Sequence, residues 1–205
     1  MNSSAFPAKP GSTLIADASV IIGLNASGHA RRVLALTSCR ILVPENASQE
    51  LMLGAKFGHD DGAQLDQLVA QGLVEPIRLG QAALGVYEML LDGTYGETLD
   101  DGEAATIAAA VELRAVAMLD EKKARRMCAK HFPDVIRGCT AEWLLHAQGL
   151  GSADQAEAML NALQKGRMRV PSEFMGEVVT LIGVEAAADC PSLPRLVRQS
   201  AIRTA

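Results

Sequence analysis

A chain of 205 residues with an apolar fraction of 49% and a net charge of −5 describes a single domain with an aliphatic core and no basic excess. Aromatic residues make up only 3% of it, so stacking platforms for exposed bases are scarce and an aromatic single-strand binder is disfavoured. No apolar run approaches the ~18 residues of a membrane span, and Cys39, Cys128, Cys139 and Cys190 lack paired CxxC spacing, which reads as reduced thiols in a soluble cytoplasmic protein.

In chain order, residues 1–12 are polar, with Pro7, Pro10 and Gly11 and no apolar leader, and read as a flexible arm. The β-type run 13–16 follows, with Asp17 at its carboxyl end, then two short helices, 20–27 and 30–37, broken by Gly28. Residues 40–44 read as a strand stopped by Pro44, and 45–53 as a helix carrying Glu50. A helix over 63–71 precedes a short strand over 73–77, which Pro76 confines to a sheet edge. After a helix over 82–91 and a glycine loop, an alanine-rich helix opens at 100–103 and runs to about 114, with Asp101 as N-cap and Glu103 in the first turn. The strand 115–119 runs straight into Asp120, and the basic helix 121–131 follows. A last strand over 134–137 and helices over 140–148, 153–163 and 172–182 precede a tail. Alternating strand and helix implies a parallel sheet with crossover helices.

Asp17 and Asp120 thus stand at strand ends on one rim, where open α/β sheets bind ligands. Glu50 and Glu103 are placed by helix boundaries. Each acid alone has an ordinary reading as a cap, a turn residue or a helix-dipole partner. Together they suit phosphodiester hydrolysis, which needs an activated water and neutralised oxygens, both supplied by carboxylate-held divalent cations. Two carboxylates ~5 Å apart without a cation repel by roughly 3 kcal/mol at an effective dielectric near 20. The basic groups Lys122, Lys123, Arg125, Arg126 and Lys130, and Lys165, Arg167 and Arg169, read equally as solvated faces or phosphate contacts. His29, His59, His131 and His146 show no zinc spacing, and no nucleotide-cradling glycine motif occurs.

The run Ile15-Ala16-Asp17-Ala18-Ser19-Val20-Ile21-Ile22, then Val43-Pro44 before Glu50-Leu51, Asp101-Gly102-Glu103-Ala104-Ala105, and Met118-Leu119-Asp120-Glu121 before Ala124-Arg125 closely resemble a PIN domain. Within that superfamily the chain resembles the VapC-like toxin ribonucleases, in the subfamily whose third acidic helix opens on Gly-Glu-Ala. The resemblance implies a three-layer α/β/α sandwich with a central, mostly parallel sheet over 13–182, flanked by the arm and a 183–205 tail. It also implies a Mg²⁺- or Mn²⁺-dependent endoribonuclease of a type II toxin-antitoxin system, with RNA as substrate, a small antitoxin and a second copy of the chain as partners, and no membrane. Carried over by position, Asp17, Glu50, Glu103 and Asp120 are the catalytic, metal-binding acids. Ser19 orients Asp17, with Asp101 and Glu121 in supporting places. Asp120-Glu121 departs from the family's frequent paired Asp and leaves two claimants to the metal side; Asp120 is preferred because it ends the strand. Lys122, Lys123, Arg125 and Arg126 are the expected RNA-backbone contacts. The rival expectation is a catalytically idle PIN-fold module that binds a protein partner or RNA.

Overall fold

The computed structural model of the protein describes residues 5–6 and 8–204. Among them, five short strands pair in the order β3-β2-β1-β4-β5: β1 (Thr13–Ala16), β2 (Arg40–Pro44), β3 (Glu75–Ile77), β4 (Val116–Met118) and β5 (Arg137–Gly138). All four pairings are parallel. The strands form because β-branched and long aliphatic residues alternate faces with period two. Leu14, Ala16, Ile41, Val43, Val116 and Met118 point into one core, whereas Ile15, Leu42, Ala117 and Leu119 point into a second core on the opposite face. A sheet apolar on both sides must be covered on both sides.

The first face is covered by α1 (Ala18–Ser27), α2 (Ala30–Leu36), α3 (Glu45–Gly54), α4 (Asp61–Ala70), α8 (Thr140–Leu145) and α9 (Ser152–Gln164), which bury residues such as Leu24, Leu34, Leu51, Leu68, Trp143 and Leu163 there. The second face is covered by α5 (Gln81–Leu91), α6 (Asp101–Leu113) and α7 (Lys122–His131), through Leu90, Ile107 and Met127 among others. The result is the expected three-layer sandwich. Fully burying one leucine stabilises by roughly 1.5–3 kcal/mol, so Leu14→Ala, at 0% exposure, costs about 2–5 kcal/mol once its cavity is included. Pro76 lies on edge strand β3, where its missing N–H breaks no central ladder.

From β1 the chain steps outward to β2 and β3, then returns to the other side of β1 for β4 and β5. The order therefore reverses between β1 and β4, which is where such sheets open a crevice at their carboxyl ends. Ala16 and Met118 are register partners there.

Some boundaries differ from those expected. The last strand is β5, Arg137–Gly138, which begins three residues later and ends one later than the apolar run over 134–137 suggests, because Ala117 and Met118 pair with Arg137 and Gly138. The helix expected over 172–182 splits into a single tight turn, Ser172–Phe174, and α10 (Met175–Ile182). The 183–205 stretch contains α11 (Val184–Ala188) and α12 (Arg195–Thr204), and Ala187, Cys190 and Leu193 are buried in the first core. Of the arm, residues 1–4 and Pro7 lie outside the described residues. Ala5 and Phe6 are buried, with Phe6 stacked on Trp143 and both backbone N–H groups donating to Glu142. The four cysteines are free, and no helix among the described residues is long and apolar enough to cross a membrane.

Candidate active site

Asp17 is the single residue between the end of β1 and the start of α1, and its extended backbone makes it the N-cap of that helix. One carboxylate oxygen, Oδ2, accepts from the Ser19 hydroxyl at 2.7 Å and from the Ser19 N–H at 3.3 Å. Capping accounts for only that oxygen. The other, Oδ1, is buried and has no hydrogen-bond partner among the described residues. A buried acceptor without a donor is costly, and this one stands at the mouth of a sheet crevice, where it is open to a ligand.

Asp120 lies two residues past the end of β4. Thr140, at the start of α8, holds both of its oxygens: the backbone N–H donates to Oδ1 and the hydroxyl to Oδ2, each at 2.7 Å. Thr140 can sit there because α1 passes it as bare backbone at Gly23, where a Cβ would stand 3.0 Å from the threonine methyl. Asp17 and Asp120 are neighbours on the adjacent strand ends, joined by the Asp17 N–H donating to the Met118 carbonyl at 3.3 Å.

The remaining acids come from the start of α6 and the middle of α3. Asp100 is the N-cap of α6 and accepts from the Glu103 N–H at 2.9 Å, while Glu103 reaches back to accept from the Asp100 N–H at 3.3 Å. This reciprocal capping box fixes Glu103, which is 3% exposed, in the crevice. Between them, Gly102 donates its N–H to Glu50 Oε1 at 2.9 Å. A Cβ on Gly102 would stand 2.8 Å from Glu50 Oε2 and 3.0 Å from Asp17 Oδ1, so the missing side chain is what lets two carboxylates close on the helix end.

The electrostatics of the four acids agree. Burial is the largest cause pushing each upward: Glu50 and Glu103 to about 7, Asp120 to about 6, and Asp17 above its ordinary value. Hydrogen bonds from Gly102, Asp100, Thr140, Ser19 and the Ala18 backbone N–H pull the other way. The negative charge of Asp100 raises Asp17, Glu50 and Glu103, and that of Asp17 raises Glu50, Glu103 and Asp120. The opposing cations that these acids feel are Lys123 at Glu103 and Arg125 at Asp120, each the weakest of the named influences.

Glu50, Glu103 and Asp120 therefore each lie within electrostatic reach of Asp17, with Ser19 beside it. Asp101 is not the N-cap; it is the first helical residue and turns to Tyr87 and Asn46, whose groups donate to its two oxygens. Glu121 turns outward to pair with Arg169, which leaves Asp120 as the crevice-facing member of that pair. Of the basic set, Arg125 donates to the Gly138 and Leu119 carbonyls at 2.8 and 3.3 Å and pairs with Glu173, and Arg126 pairs with Glu97. Lys122 is exposed, and Lys123 is the one whose charge reaches Glu103. Asp100 and Thr140 are the site residues that the sequence reading did not single out, and Gly102 entered it only as part of the Gly-Glu-Ala motif. The Asp-x-x-Glu spacing of 100 and 103 signals the first; nothing local signals Thr140.

A hard divalent cation fits this donor set. The acids offer only oxygen, Asp17 Oδ1 has no other partner, and Gly102 keeps space open between two carboxylates. Among the described residues no group of three or more His, Cys, Asp or Glu side chains is arranged so that it could hold a metal ion. A family model described as a PIN domain matches residues 13–184. No curated protein gives a significant match to the chain.

Proposed function

The chain belongs to the PIN-domain family, a nuclease-type fold, and on that premise we propose that it is a metal-dependent endoribonuclease whose Asp17, Glu50, Glu103 and Asp120 hold Mg²⁺ or Mn²⁺. The observation that carries this reading is the buried, unpartnered Oδ1 of Asp17, whose negative charge raises the pKa of Glu50, Glu103 and Asp120. The chemistry that such a cation supplies when bound is activation of water and neutralisation of charge on the phosphodiester. The chain's own residues do the positioning. Ser19 fixes the Asp17 carboxylate so that Oδ1 faces the crevice, and Thr140 holds Asp120 with two donors that favour its ionised form. The capping box sets the angle of Glu103, and the Gly102 N–H sets that of Glu50.

On the resemblance to VapC-like toxins, the proposal extends to a toxin of a type II toxin-antitoxin system, with a small antitoxin and a second copy of the chain as partners. A short neighbouring reading frame with a DNA-binding pattern would support that extension. The direct test is Asp17→Asn, which keeps shape and removes charge. Hydrolysis of mixed RNA with Mg²⁺ or Mn²⁺ is expected to fall on the order of 10³-fold, several kcal/mol of transition-state stabilisation, with circular dichroism unchanged. Full activity in that variant overturns the reading. The idle module is the second reading, favoured by the arrangement of the acids; calorimetry that finds no carboxylate-dependent Mn²⁺ binding would select it.

A further inference from the structure

Residues 5 and 6 precede the family-matched span 13–184, yet both are buried against the part of the chain that holds Asp120. They meet it at Gly138, Glu142 and Trp143. The Ala5 and Phe6 N–H groups donate to Glu142 Oε1 at 2.9 and 3.2 Å, and the Phe6 ring stacks on Trp143 with centroids 5.4 Å apart. At Gly138 the strand β5 is bare backbone, and a Cβ there would stand 2.9 Å from the Ala5 Cβ, so a side chain at that position would displace the arm. These contacts bracket Thr140, whose N–H and hydroxyl are the two donors to Asp120.

The turn they bracket cannot hold itself. α8 is 6 residues long, well below the ~12–15 at which a helix is even marginal alone. Its cap is the Cys139 sulfur, a weak acceptor that takes the Glu142 N–H at 3.4 Å. Glu142 is 0% exposed. In a capping box a glutamate at that position reaches back to the cap, but Glu142 Oε1 is turned to the arm.

We propose that residues 5–6 form a strap that acts through Glu142, a positioning residue, to hold the first turn of α8 and so keep both Thr140 donors on Asp120. A buried carboxylate stripped of its donors is costly, and a turn this short relieves the cost by moving toward water, taking Thr140 with it. Groups that hydrogen-bond a metal-binding carboxylate set its orientation and its affinity, so docking of the arm is felt at the acids. The inference rests on the nuclease reading for that consequence and adds to it a support for the site built from sequence outside the family match.

The test is amide hydrogen exchange on the full, metal-free chain, comparing the Thr140 N–H with the amides of β1, the middle strand, which report opening of the whole fold. Phe6→Ala removes the stack, and Glu142→Ala removes the acceptor; where the second fails to fold, the first decides. In each, Thr140 exchange should rise about tenfold while that of β1 rises less than about threefold. Lys9→Ala, exposed and past the clamp, should exchange like the parent. Mn²⁺ affinity, read by calorimetry, should fall about tenfold in Phe6→Ala, and about threefold or less when Phe6→Ala is added to Thr140→Val, whose hydroxyl donor is already gone. The proposal is overturned if Thr140 exchange stays parental in Phe6→Ala, if it rises no more than that of β1, if Lys9→Ala raises it as much, or if the Mn²⁺ loss is equal with and without Thr140→Val. Failure of the nuclease reading looks different. A parent that neither binds Mn²⁺ nor cleaves RNA removes that reading alone, and the exchange ratio still decides for or against the strap.

Discussion

At the carboxyl ends of β1 and β4, Asp17 and Asp120 are buried and face other carboxylates, whereas one helix away on α7 Arg125 and Arg126 each have a carboxylate of their own. The acidic region holds more charge than its neighbours balance; its carboxyls respond by rising toward neutrality, as burial and like charge require. The basic region has spent part of its charge on the fold. Arg125, with only 15% of its side chain exposed, ties β4 and β5 to the turn at Glu173. The contrast teaches that a run of like charges in sequence is not a measure of free charge in space. The acids keep a deficit of positive charge around them, and the cations left for an outside anion are fewer than the run from Lys122 to Arg126 suggests.

The sharpest way to break the contrast is Gly102→Ala. A methyl placed 2.8 Å from Glu50 Oε2 and 3.0 Å from Asp17 Oδ1 must displace one of them. RNA hydrolysis should drop about 10²-fold, the cost of roughly 1 Å of misplacement, while the melting temperature holds or rises because alanine suits a helix better than glycine. Equal activity would show that the four acids do not act as a unit. Next is Thr140→Val, which keeps the backbone donor to Asp120 and removes the hydroxyl. Mn²⁺ affinity, read by calorimetry, should fall about tenfold, and Thr140→Ser should restore it.

A smaller effect concerns pH in the metal-free protein. Glu103 and Asp120 have folded-state values raised to about 7 and about 6, so the folded chain binds more protons than the unfolded one between the ordinary carboxylate range and those values. Their contribution is therefore fully present at low pH and lost as pH rises through about 6 to 7. The melting temperature of the parent relative to Glu103→Gln should fall over that interval, and Mn²⁺ should abolish the fall. A difference independent of pH would mean that burial does not raise Glu103. The smallest effects lie on the basic side. Arg125→Ala should cost about 1–3 kcal/mol by leaving carbonyls short of a donor, and Arg126→Ala, whose pair with Glu97 is about half exposed, at most about 1 kcal/mol. Denaturant midpoints measure both, and equal losses would erase the distinction drawn between the two arginines.

Much of the architecture is legible in the chain itself because it depends on short-range periodicity. Leu14, Ile15 and Ala16 alternate faces with period two, strands alternate with helices, and Pro76 confines its strand to an edge. The junction acids Asp17 and Asp120 are visible for the same reason, as charges placed directly after apolar runs. Local pattern also misleads where a neighbour competes. Val135-Ile136 looks more strand-like than Arg137-Gly138, yet pairing with β4 selects the latter, and Asp101 looks as good a cap as Asp100 until Glu103 reaches back.

What the chain determined alone, then, is which residues have the right chemistry and the right element boundary, because propensity and spacing act over a few neighbours. Only the tertiary structure decided that Oδ1 of Asp17 has no partner, that Thr140 holds Asp120 from twenty residues away, that Glu121 and Arg125 are taken by Arg169 and Glu173, and that residues before the family match are clamped on Glu142 beside Thr140. Those outcomes depend on contacts between distant segments, whose partners are chosen by packing and desolvation across the whole sheet.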